Sequence, residues 1–134
     1  TFWPRLEEQV LGPLRRGAPA TYRRYQWHRG AFGGDPVTVE PNPVVVLEGV
    51  SSARRAIRDE LSLAVFVSAP ADLRLSRALA RDGDDSLAYR AYLGRWRAAE
   101  DLHFAADQTA ASADLLIDGA ITGGDDRFVR LPQP

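Results

Sequence analysis

Lysine is missing from this chain of 134 residues: all 17 of its basic residues are arginine. Without lysine no phosphate loop of the G-x-x-x-x-G-K-[ST] type can be written, so no glycine pair here is such a loop. Cysteine is also absent, which excludes disulfides and thiolate metal sites. Methionine is absent too. A chain that opens on "TFWPRLEEQV" rather than at a start codon reads as a portion of something longer. Charge of one sign is lacking as well. The 17 basic residues face 18 acidic ones for a net charge of −1, with no footprint for nucleic acid or an anionic membrane. No apolar run approaches the roughly 18 residues of a membrane span, and no signal-peptide pattern opens the chain. Cytoplasm is the default expectation.

What is present suits a core. The composition is 45% apolar, and the length is enough for one domain, so 1–134 is read as a single α/β domain. Thr1 is a candidate N-cap for an amphipathic helix over about 2–16, in which Leu6, Val10, Leu11 and Leu14 recur at helical spacing and Pro13 predicts a kink. "TYRRYQW" is an extended segment, and "DPVTVE" places a short strand near 37–40. Val44, Val45, Val46 and Leu47 form a continuous apolar run, the pattern of a strand buried on both faces. A helix follows from about Ser52 to Glu60, with Ser51 and Ser52 as its N-cap, and then the apolar strand "LAVFVSA" (63–69). The stretch 49–62 suits a crossover between parallel strands. Residues 71 to about 108 are helical with a break at "DGDD" (82–85). "DLLID" (114–118) is a third strand, "RFVR" a possible edge strand, "GGDD" (123–126) a turn, and "LPQP" a frayed tail. The predicted architecture is α/β, a mostly parallel sheet with flanking helices and a helical excursion.

In such sheets ligands bind at the carboxyl ends of strands, where Glu48 and Gly49 fall. A carboxylate there can hold a Mg²⁺ shell or orient a water, and a glycine lets the backbone turn sharply. An incidental acid at a strand end is the plainer alternative. Arg74, Arg77 and Arg81 occupy one helix stripe that ends at Asp82. Guanidiniums so placed suit a polyphosphate, or else a solvated face paired with Asp72 and the acids at 82–85. Glu100, His103 and Asp107 have the spacing of half a metal site without a second half, which favours surface pairing instead.

Taken in order, these pieces resemble the uridine kinase family of P-loop kinases and its phosphoribulokinase relatives. The likeness runs over about 22–118. It is carried by "YQW" (25–27), "VVVLEGV", "LAVFVSAPADLRLSRALARD" and "SADLLIDG". The resemblance implies a P-loop NTPase-like fold with a helical lid, of which this chain is the C-terminal portion, the P-loop lying upstream. It implies ATP as co-substrate, Mg²⁺ positioned by Glu48, and Arg81 at the opening of a lid over the phosphates. Arg77 and Arg90 join Arg81 as phosphate-side residues, with Arg95 a second source of lid charge. Tyr25, Trp27 and His28 face the acceptor, a small molecule such as a nucleoside, with no nucleic acid or membrane partner. Two departures stand out: Gln26 occupies a position where the family usually has aspartate, and "GDDSLAYR" replaces an Arg-Gly-Arg lid sequence. The implied activity is ATP-dependent phosphoryl transfer to a hydroxyl, with this chain alone inactive. The alternative is a non-catalytic nucleotide-binding or regulatory module that kept the fold.

Overall fold

A computed structural model describes residues 3–121 and 128–133. The candidate cap Thr1 and the turn at 123–126 lie outside them. The chain forms two compact units, Thr1–Leu47 and Glu48–Pro134.

The first unit opens with a helical rod in three pieces: α1 (Trp3–Leu6), a π-helical turn (Glu7–Leu11) and α2 (Gly12–Arg15). The kink expected at Pro13 takes the form of that wide turn. Proline has no N–H to give the preceding carbonyls, and Gly12 N–H closes instead on Glu7 O, five residues back. A Cβ at Gly12 would stand 3.0 Å from that oxygen, a tight contact that glycine avoids. An ion pair from Arg15 to Glu7 ties the rod's end to its middle. Leu11 packs inward, as does Ala20 on β1 (Ala20–Tyr22), which pairs antiparallel with β4 (Val37–Val39). Between them, β2 (Tyr25–Gln26) and β3 (Ala31–Phe32) make a second antiparallel hairpin.

The run Val44–Leu47 departs from its reading. It belongs to no strand, and Val44 and Val46 are 73% and 82% exposed. The β1–β4 ladder stops at Val39. Beyond it, Pro41 and Pro43 bracket Asn42, whose Oδ1 accepts from Val44 N–H at 3.2 Å. An apolar composition fits a buried strand only where a ladder partner exists, and none is found among the described residues.

The second unit begins with a turn in which Ser52 donates through both N–H and Oγ to Gly49 O, at 3.1 and 2.8 Å. The serine therefore closes the glycine turn rather than capping a helix. The expected helix over 52–60 is a 3₁₀ segment, Arg55–Glu60, with Arg54 in its cap position and only Ile57 buried. Residues three apart eclipse on a 3₁₀ helix, which puts Arg55 and Arg58 on one side. Both donate to the end of the long helix Leu87–Asp107: Arg55 to Ala106 O at 2.8 Å and Arg58 to Asp107 O at 2.6 Å.

β5 (Val65–Ser68) leads into α3 (Ala71–Asp82) and α4 (Leu87–Asp107), and β6 (Leu115–Asp118) returns parallel to β5. β7 (Arg130–Leu131) adds an antiparallel edge to β6. Among the described residues β5–β6 is the parallel pairing and the other ladders are antiparallel, which does not confirm the mostly parallel sheet of the sequence reading. Phe66 meets Phe104 of α4 edge to face at 5.1 Å, beside the buried Ala64, Ala113 and Leu116. A Cβ at Gly119 would stand 2.9 Å from Val67 Cγ1 and 3.1 Å from Ser68 O, so a side chain there would have to displace the end of β5.

Candidate functional site

The break between α3 and α4 is built by its own side chains. α3 ends on Gly83 in the left-handed conformation, φ 68°, whose N–H caps Leu79 O at 3.0 Å. Asp84 Oδ1 accepts from Ser86 N–H at 2.9 Å, and Ser86 Oγ accepts from Tyr89 N–H at 3.2 Å as the N-cap of α4. The interruption foreseen at 82–85 is thus a defined hinge with a cap on each side.

Arg81 and Asp82 sit at that hinge. Arg81 Nε and Nη2 donate to the two carboxylate oxygens of Asp82, both at 2.7 Å. Tyr89, from the first turn of α4, donates its hydroxyl to Asp82 Oδ2. Arg90 is likewise paired with Asp85. The Arg81 guanidinium, and next the Tyr89 hydroxyl, hold the Asp82 carboxyl down at about 2. The same contacts raise Arg81 and Tyr89 above their ordinary values, and Arg90 lowers Asp85.

The rest of the arginine stripe divides. Arg77 Nη1 donates to Gly119 O at 2.7 Å, tying α3 to the carboxyl end of β6. Arg74 is half-buried and reaches Glu100 of α4 at 3.5 Å, a carboxylate that also accepts from Trp96 Nε1 at 2.7 Å. The three arginines share a face: Arg74 is half-buried, Arg77 is exposed but tied to Gly119 O, and Arg81 is 74% exposed. The helix spacing Glu100–His103–Asp107 resolves into separate partners. Glu100 takes Arg74, His103 lies tilted against Phe104, and Asp107 Oδ2 accepts from Arg55 N–H at 3.0 Å. Among the described residues no group of three or more His, Cys, Asp or Glu gathers as for a metal.

Glu48 is exposed and directly precedes Gly49, whose φ of 146° lies where side chains other than hydrogen are strained. Its position at a glycine turn is as expected; its strand is not formed. A lone carboxylate matches Mg²⁺, which usually takes one or two protein carboxylates and completes its shell with water and substrate phosphate.

In the first unit Tyr25 lies edge-on to Trp27 at 4.9 Å and to Phe32 at 5.2 Å, and Arg5 stacks over Phe32 at 3.8 Å. Trp27 is 70% exposed, and His28 is exposed in the adjoining turn. Gln26 turns its amide across the hairpin, within 3.2 Å of Arg29 Nη1 and close over Gly33 and Gly34. Sequence reasoning missed Phe32 and Arg5 in this cluster, and Tyr89 at the hinge, while it had offered the acids at 82–85 as partners for the arginines. The signal for Tyr89 was its place one turn past the break, facing an acid that ends the previous helix.

Residues 3–90 match the model of the phosphoribulokinase/uridine kinase family. The uridine kinase of Escherichia coli (strain K12) is 37% identical over 73 residues, 54% of this chain and 34% of that protein. The uridine kinase of Staphylococcus carnosus (strain TM300) is 29% identical over 75 residues, 55% of this chain and 36% of that protein. The chain spans about a third of the length of these curated relatives.

Proposed function

The chain belongs to the phosphoribulokinase/uridine kinase family, and from that premise we propose that it forms part of an ATP-dependent kinase acting on a small-molecule hydroxyl, nucleoside-like in class. The observation that carries the reading is Arg81, an exposed guanidinium at a capped hinge between two helices, where a mobile lid can bring charge to a phosphate. Phosphoryl transfer asks a protein for positioning and charge neutralisation more than for covalent chemistry.

In this reading Arg81 presents its planar fork to the phosphates, and Arg90 adds charge from the first turn of α4. Arg77, held on Gly119 O, fixes α3 against the strand end and so keeps Arg81 in place. Glu48 offers one oxygen to the cation. When bound, Mg²⁺ supplies charge neutralisation on the phosphates. Tyr25 and Trp27, locked edge to face, present a rigid aromatic surface to the acceptor, with His28 beside them. The phosphate loop belongs to a part of the protein outside this chain, the 134 residues alone are inactive, and the protein works in the cytoplasm.

A second reading, a nucleotide-binding or regulatory module without catalysis, is favoured by Gln26, whose amide is engaged within its own hairpin. The test is Glu48→Gln in the whole protein, which keeps shape and removes charge. Turnover at limiting Mg²⁺ is expected to fall sharply with the melting temperature unchanged. Unchanged turnover overturns the role of Glu48, and no ATP-dependent turnover by the unaltered protein favours the second reading.

A further inference from the structure

Arg81, the group best placed to meet phosphate, is already occupied. Its Nε–Nη2 edge, one of the edges by which a guanidinium makes two-point contact with phosphate, is spent on Asp82. Asp82 is in turn held from across the hinge by the Tyr89 hydroxyl. This carboxylate is the last residue of α3, where the helix's own carbonyls repel negative charge, so its place there depends on those two donors.

We propose that Asp82 and Tyr89 form a resting latch: Asp82 keeps the Arg81 fork engaged, Tyr89 keeps Asp82 in position across the Gly83–Ser86 hinge, and an incoming polyphosphate takes Arg81 from them. The inference rests on the reading that Arg81 meets phosphate. It adds that the lid neutralises its own charge and that nucleotide binding is an exchange of partners. The pair stands in solvent, where an ion pair of this kind is weak, so the latch yields to a ligand carrying several negative charges. Arg90 of α4 is likewise paired through Nε with an acid of the break, Asp85. Because Arg81 holds the Asp82 carboxyl far below neutrality, the latch is charged throughout the physiological range.

Exchange makes Asp82 a positioning residue whose removal strengthens binding, the reverse of what loss of a ligand-contacting group does. The experiment is titration calorimetry of the whole protein with inorganic tripolyphosphate and, separately, with ATP, alongside melting curves. Asp82→Asn is expected to raise affinity by up to roughly fivefold, the scale of a surface ion pair. Tyr89→Phe, which changes no charge, is expected to raise it by less but in the same direction. Asp84→Asn is the charge-matched control, since its remaining oxygen still accepts from Ser86 N–H.

Asp82→Asn acting no more strongly than Asp84→Asn overturns the latch, as does Tyr89→Phe leaving affinity unchanged or lower. Arg81→Ala separates the two levels. If it leaves tripolyphosphate binding intact, the phosphate role of Arg81 fails. If it weakens binding while the aspartate variants behave alike, only the latch fails. Should Asp82→Asn melt early, Tyr89→Phe carries the test.

Discussion

Asp114 and Ala64 hold each other twice. Ala64 N–H donates to Asp114 Oδ2 at 2.7 Å, and Asp114 N–H donates to Ala64 O at 2.8 Å. The pair lies immediately before the first rung of the parallel ladder, Val65 opposite Leu115, and so sets the register of β5 on β6. A one-residue slip would turn every side chain of β5 to the other face. Asp114→Ala leaves the N–H of the buried Ala64 without its acceptor and is expected to destabilise the fold by about 1–3 kcal/mol. Asp114→Asn, which retains an oxygen, should lose less. Chemical denaturation of the two variants checks the order; equal losses would show that the contact does not set register.

The end of α4 is held in a comparable way. Arg55 and Arg58 donate to the carbonyls of Ala106 and Asp107, groups that a helix leaves unpaired at its last turn, and their charge suits that end of the dipole. Arg58→Met keeps the apolar stem and removes the donors. We expect a loss of about 1–2 kcal/mol and faster amide exchange confined to the last turn of α4. Exchange that rises evenly along α4 would point to lost packing rather than a lost cap.

Much of the second unit was legible because its signals are local. The strand 63–69, the helix from Ala71, the break at 82–85 and the strand 114–118 appear at β5, α3, the hinge and β6, each marked by its own residues. What failed depended on distant partners. Val44–Leu47 has the composition of a buried strand but no ladder to join. The segment 55–60 tightens to 3₁₀ while its two arginines reach a helix end some fifty residues on. Periodicity placed Arg74, Arg77 and Arg81 on one face correctly. It could not show that Glu100, Gly119 and Asp82 would give them three different surroundings.

The hinge carries a pH signature. Asp82 is lowered from 3.8 to about 2, first by the hydrogen bonds from Arg81 and then by that from Tyr89. A carboxylate more acidic in the folded state contributes stability above its unfolded value, and that contribution is lost as pH falls through the folded one. The hinge should therefore loosen between about pH 4 and pH 2. Carboxyl-carbon NMR is expected to show Asp82 titrating near the lower limit, and Arg81→Ala should move it up towards the ordinary value. A midpoint that ignores Arg81→Ala would remove the guanidinium as the cause.

The stripe of arginines gives the sharpest comparison, because its members have the same charge and helix but different neighbours. Arg74 bridges α3 to α4 through Glu100 and is half-buried, with its Nε unpartnered among the described residues. Arg74→Ala leaves Glu100 to Trp96 alone and strips the stem from the helix contact, so the melting temperature should fall with little change in kcat for molecules that remain folded. Arg81→Ala does the opposite. Its side chain stands in solvent, alanine favours the helix, and the Gly83 cap is a backbone contact that survives. If Arg81 holds phosphate chiefly in the transition state, kcat in the whole protein should drop roughly 10- to 150-fold, the scale of one charge-assisted hydrogen bond. Melting curves and kinetics taken side by side decide it. Two variants that lose the same property, whether stability or turnover, would make the stripe a single structural face and remove Arg81 from the chemistry.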